Sequence, residues 1–234
     1  LDPAFKSFVG WAPVPVIHGM TFGELAKMAV GEEWLEGDLT PRLTVLKCEG
    51  YAHSDRYMLS IAPSPNLPTH ISVELYPSLC FLEPTNVSIG RGTPTPFEIG
   101  GVPRGMTPNI PVGKDALNFT PVSTPGASPH PKHEDVVCVG ENFQSRGEKW
   151  WIDGPSWDLS ILETYAHSFR NDENEISGFF TSKGFFDKLA GTDQLRLCLE
   201  KGEGMEALKA LWHKDLIEFR KDRQPYLLYP IQRN

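Results

Sequence analysis

The sequence predicts a mixed fold passing from α/β to α+β: a closing α/β segment of a truncated parallel-sheet domain over residues 1–60, then a loop-rich α+β domain over residues 61–234 that ends in helices. Three observations predict it. An extended stretch, a capped helix pattern and a strand pattern follow one another before residue 60, as in one turn of an α/β layer. Residues 61–131 then hold 14 of the 21 prolines and seven charged residues. The last third carries helical periodicity.

Each element has a local cause. Residues 12–17 alternate with proline and read as extended. Thr21 followed by Glu24 forms a capping box, so a helix starts at Thr21 and runs to about Val30, where Gly31 can end it. Residues 42–48 read as a strand. Proline fixes φ and removes a donor, so residues 61–131 resist long helices and form an ordered wall of rigid loops and short strands. Interleaved Ile, Val, Leu and Phe separate this stretch from a disordered linker. Residues 117–122 and 136–143 read as strands. Residues 157–170 are moderately periodic, and Thr192 caps a helix to about Lys201. Met205, Leu208, Leu211, Trp212, Leu216 and Phe219 form one apolar stripe on a final helix, a pattern of core packing.

Composition narrows the function. A hydrophobic share of 40% with 11% aromatics suffices for a packed core. The formal charge of −8, with no Lys/Arg-rich run, disfavours nucleic acid, which needs clustered cations. No apolar run reaches the roughly 18–20 residues of a membrane span. Cys48, Cys80, Cys138 and Cys198 lack metal-ligand spacing and read as half-buried thiols, with disulfides left open. The chain starts at Leu1, which suggests a piece of something longer.

The chemistry concentrates around residues 76–93. Arg91 sits between Gly90 and Gly92, which permit positive φ and close approach. Its guanidinium fork either pairs internally with Glu83 or Glu98, or captures an anionic ligand group. Glu83 lies in an apolar context that raises a carboxyl pKa unless Arg91 is near; it is either a general acid or, as a lone buried Glu usually is, an organiser of its loop. Glycoside hydrolysis normally needs two carboxyl groups, and no second one stands out. His18 precedes the capped helix, and His53 follows the end of the strand pattern, near Tyr51; each is a ligand contact or an ordinary loop histidine. His130 and His133 read as solvated. No third clustered ligand supports a metal, and no serine-hydrolase elbow, P-loop, dinucleotide fingerprint or His-Glu-x-x-His occurs.

Together, Ser7-Phe8-Val9-Gly10, Pro15-Val16-Ile17-His18-Gly19-Met20-Thr21, Gly23-Glu24-Leu25-Ala26 and Pro63-Ser64-Pro65-Asn66-Leu67-Pro68 resemble the exo-β-N-acetylmuramidase (NamZ-type) family, once a domain of unknown function, DUF1343. The resemblance continues through Leu75-Tyr76-Pro77-Ser78-Leu79-Cys80, Thr85-Asn86, Gly90-Arg91-Gly92-Thr93, Pro96-Phe97 and Phe119-Thr120-Pro121-Val122-Ser123, and closes with Lys188-Leu189-Ala190-Gly191 and Tyr226-Leu227-Leu228-Tyr229-Pro230. It implies a longer, exported bacterial protein, periplasmic or extracellular, with a Rossmann-like N-terminal half. This chain would be the C-terminal, substrate-cleft half, with the missing N-terminal half as its partner. The implied activity is a glycoside hydrolase of cell wall turnover that releases N-acetylmuramic acid from peptidoglycan fragments, without cofactor. Arg91, Asn86 and Thr85 would hold the sugar, Arg91 taking its lactyl carboxylate. His53 and Tyr51 would add binding contacts, Glu83 and His18 catalytic ones, and the main acid/base glutamate would lie in the missing half. Two departures stand out: Glu83-Pro84-Thr85 for the family's Glu-Gly-Thr, and Gly101-Val102-Pro103-Arg104 for Gly-Ala-Pro-Trp. A non-catalytic glycan- or partner-binding module is the alternative.

Overall fold

The computed structural model describes residues 1–35, 42–107, 109–110, 113, 115–154 and 157–232. Thr21 opens the first helix, α1 (Phe22–Gly31), through the expected box: its hydroxyl accepts from the Glu24 amide at 3.4 Å, and the Glu24 carboxylate accepts from the Thr21 amide at 2.7 Å. Residues 42–48 make no ladder, contrary to the strand expected there. A strand needs a backbone neighbour, and the described residues supply none at this point. The segment instead rests on α1, where a Cβ at Gly23 would meet Val45 at 2.5 Å, and it leaves Leu46 almost fully exposed.

The proline-rich stretch holds a ten-residue helix that the sequence reading did not foresee, α2 (His70–Leu79). A Thr69/Ser72 box nucleates it, and Pro77 falls in its last turn, where it removes one backbone donor shortly before the helix ends. The Pro77 carbonyl accepts from the Trp157 indole at 2.9 Å. A 3-10 turn (Cys80–Leu82) carries the chain from α2 into Glu83.

Beyond it lies a three-stranded antiparallel sheet of β1 (Ile99–Pro103), β2 (Ala116–Phe119) and β3 (Cys138–Asn142), with β3 in the centre. Gly101 pairs with Gly140, and Leu117 pairs with Gly140 from the other side. The helices α3 (Gln144–Asp153), α4 (Ser160–Ser168), α5 (Lys183–Ala190), α6 (Gln194–Lys201) and α7 (Met205–Asp222) follow. The expected strands at 117–122 and 136–143 thus form, shortened, as does the final helix. On α7, Leu208 and Phe219 are buried, while Leu211 lies 40% exposed, so the stripe is only partly core.

One large core joins α2 to the sheet and the later helices through Leu75, Phe81, Tyr165, Phe179 and Phe186. A small second core of Met20, Met28 and Phe219 lies between α1 and the end of α7. Residues 223–230 then fold back over the N-terminal segment, with Arg223 donating to the His18 and Gly19 carbonyls at 2.7 and 2.9 Å. Three of the cysteines are buried rather than half-buried, Cys48 is exposed, and all four are free thiols.

Candidate functional site

The turn after α2 is held from within. The Thr85 hydroxyl donates to the Leu82 carbonyl at 2.7 Å and accepts from the Val87 amide at 3.1 Å. Asn86 ties the turn to its neighbour: its amide donates to Phe179 O at 2.7 Å and its side-chain nitrogen to Gly178 O at 2.6 Å. Thr85 is fully buried, so its hydroxyl cannot reach a ligand as the sequence suggested, and Asn86 is committed to the loop at Gly178. Both residues shape the turn.

Gly90 and Gly92 have φ of 75° and 82°. A Cβ at Gly90 would press on the Thr95 carbonyl at 2.8 Å, and one at Gly92 on the Val122 carbonyl at 2.6 Å. Only glycine satisfies both conditions, and the pair fixes the direction in which Arg91 leaves the backbone. Arg91 lines an open groove of about 390 Å³ with Glu83, Lys132, Ser128, His130 and Ile89. Its Nη1 meets Glu83 Oε2 at 3.3 Å, a single long contact, and its buried Nε has no partner among the described residues. Glu98, the other candidate partner, lies elsewhere, accepting from Thr69 and, at 2.6 Å, from Gln144.

The charges in the groove are unequal. Two cations, Arg91 and Lys132, face one carboxylate. Burial pushes the Glu83 carboxyl up, and the positive charges of Arg91 and Lys132 only partly offset it. Burial pulls the Lys132 ammonium down to about 8, against the attraction of Glu83. The Arg91 guanidinium keeps donors for an anionic group beyond its one contact with Glu83, and burial biases the Glu83 carboxyl towards its protonated form.

His18, Tyr51 and His53 lie in a separate cluster against α1. The fully buried Glu24 carboxylate accepts from the Leu228 amide at 2.6 Å and meets His53 Nε2 at 3.0 Å. Burial favours its neutral form, but the Leu228 and Thr21 amides and His53 outweigh burial and hold the carboxyl below its usual range. Tyr51 and Tyr229 stack edge to face at 4.8 Å beside the His53 ring. His18 accepts from the Met20 amide through Nδ1 at 3.2 Å, and burial together with Arg223 lowers its pKa and so favours the neutral ring. Among the described residues, no hydrogen bond, ion pair or ring contact joins this cluster to the Arg91 groove.

Sequence reasoning missed Lys132, Glu24 as more than a cap, Arg223 and Tyr229. His133, read as solvated, is half-buried, and its Nε2 meets the Asn86 carbonyl at 2.7 Å. His130 is exposed. No group of three metal-ligating side chains occurs among the described residues, and no helix among them is long and apolar enough to cross a membrane.

Comparison with known proteins identifies the family. Residues 1–71 match the family model described as exo-beta-N-acetylmuramidase NamZ, N-terminal, and residues 74–229 its C-terminal counterpart. The chain belongs to the NamZ family. Because residues 1–71 match the N-terminal domain, the chain is not simply a C-terminal half. It is 34% identical to the peptidoglycan beta-N-acetylmuramidase NamZ of Bacillus subtilis, over 98% of its own length and 55% of that protein. It therefore spans about half of that curated relative. A crystal structure of a DUF1343 family protein from Bacteroides fragilis matches 99% of the chain with a TM-score of 0.83 at 38% identity, covering 62% of that protein. A second from the same organism, with a TM-score of 0.68, is 21% identical and supports the mixed α/β fold alone.

Proposed function

We propose that this NamZ-family chain carries the anion-recognising part of a peptidoglycan-degrading exo-β-N-acetylmuramidase, and that its groove takes the lactyl carboxylate of a terminal N-acetylmuramic acid. One observation supports this reading above the others: Arg91, with its side chain 39% exposed at an open groove, spends a single 3.3 Å contact on Glu83. The guanidinium donors that the Glu83 contact does not use offer an incoming carboxylate charge-assisted bonds in a matching fork. The family relationship suggests the acidic sugar. Glu83, with its raised carboxyl, holds a proton for the leaving oxygen, and a second carboxyl group comes from the part of the longer relatives that this chain does not span. Peptidoglycan lies outside the cytoplasmic membrane, so the protein works after export.

The test is release of N-acetylmuramic acid from a chromogenic muramide by the full-length protein and by Arg91→Ala. Loss of a hydrogen bond to a charged group of about 1.5–3 kcal/mol predicts a fall in kcat/KM of roughly tenfold to a hundredfold. Equal kcat/KM removes Arg91 from the site.

A second reading, a glycan-binding module without turnover, is favoured by Glu83 being the only carboxylate lining the groove among the described residues. Calorimetry with muropeptides separates the two: heat of binding without product in the full-length protein supports the module, and turnover by the full-length protein or by this chain alone refutes it.

A further inference from the structure

Lys132 reaches the groove from the far side of the proline-rich loop and ends beneath the turn that carries Glu83. Its Nζ lies at 3.4 Å from the Leu82 carbonyl, 3.1 Å from Glu83 O and 2.9 Å from Val87 O, and it also donates to Thr85 O. An ammonium has three protons, and four carbonyl oxygens are in range, so none is left for a ligand. Its neighbour His133 holds the Asn86 carbonyl. Two consecutive side chains therefore take the outward dipoles of one tight turn. The Leu82 carbonyl also accepts from the Thr85 amide and hydroxyl, whereas among the described residues Glu83 O, Thr85 O and Val87 O take their donor from Lys132, and an unmatched buried carbonyl is costly. The arrangement is costly to build: His133 and Asp135 both hold positive φ, at 58° and 59°, which non-glycine residues adopt with strain.

We propose that Lys132 is a positioning residue: its ammonium gathers the carbonyls of residues 82, 83, 85 and 87 and so fixes Glu83 where it meets Arg91 by one contact only, leaving the guanidinium open to a carboxylate. The inference rests on the acidic-sugar reading of the groove. Without the ammonium the turn relaxes, Glu83 is free to close fully on Arg91, and the internal pair competes with the ligand. A neutral sugar, which makes no use of the guanidinium, would lose little. The expected signature is therefore a loss of acid preference and not a general loss of affinity.

The experiment measures by calorimetry, in the full-length protein, the ratio of the dissociation constant for N-acetylglucosamine to that for N-acetylmuramic acid. The variants are Lys132→Met, Lys132→Arg and Arg91→Ala, with circular dichroism to establish folding. The proposal expects the ratio to fall by about tenfold in Lys132→Met, and to fall in Lys132→Arg because a planar guanidinium does not fit among four converging carbonyls. If Lys132→Met does not fold, Lys132→Arg decides on the same ratio. A folded lysine variant with the wild-type ratio, alongside an Arg91→Ala protein that has lost it, overturns the role of Lys132 and leaves the groove reading standing. An unchanged ratio in Arg91→Ala overturns the groove reading, and the role of Lys132 with it.

Discussion

Glu83 is the residue on which burial and charge pull hardest in opposite directions. Burial raises its carboxyl, and Arg91 and Lys132 draw it part of the way back. A carboxyl raised in the folded protein binds its proton more tightly there than in the unfolded chain. Its stabilising contribution is complete below the ordinary carboxyl value and is lost as pH climbs through the raised one. Thermal melts between about pH 4 and about pH 7 should show the wild type losing more Tm across that window than Glu83→Gln; parallel curves would contradict the raised carboxyl. Arg91 itself was legible from sequence because its determinants are adjacent, a glycine on either side. Lys132 was not, because its partners lie 45 to 50 residues away, and only the folded chain brings them together.

Elements repeat the contrast between local and distant causes. The α1 cap was readable because Thr21 and Glu24 act across three residues, yet the same Glu24 also receives Leu228 from the other end of the chain. Glu24→Ala should therefore cost more than a cap. Adding about 1 kcal/mol for the cap to about 1–3 kcal/mol for the unmatched Leu228 amide gives a loss of roughly 2–4 kcal/mol in urea unfolding; a loss near 1 kcal/mol would mean the Leu228 contact is idle. α2 escaped notice because its box uses Ser72 rather than Glu or Gln and its last turn contains Pro77. The strand pattern at 42–48 was misleading, since alternation marks a face and not a partner. In the Arg91 loop, Gly92→Ala meets both positive φ and the Val122 carbonyl. It should reduce muramic acid affinity as Arg91→Ala does, with the loss read by calorimetry.

At the scale of the whole molecule, stability sits in the core between α2, the sheet and α4–α7, and the N-terminal segment is fastened by Phe219, Arg223 and the 223–230 return. Phe186→Ala, at a fully buried position, should lower unfolding free energy by about 3–5 kcal/mol, against about 0.5 kcal/mol or less for Phe22→Ala at an almost fully exposed one. Burial also sorts the cysteines, pushing Cys80 up to about 12 and Cys138 and Cys198 to about 11. Ellman's reagent should therefore titrate one thiol, Cys48, in the native protein and four after unfolding. The Arg91 Nε–H, without an acceptor among the described residues, is the most direct reporter of the groove. In a ¹H–¹⁵N spectrum assigned by Arg91→Lys, this resonance should shift on addition of N-acetylmuramic acid and stay in place with N-acetylglucosamine; a resonance indifferent to both sugars, or moved equally by both, would contradict the account.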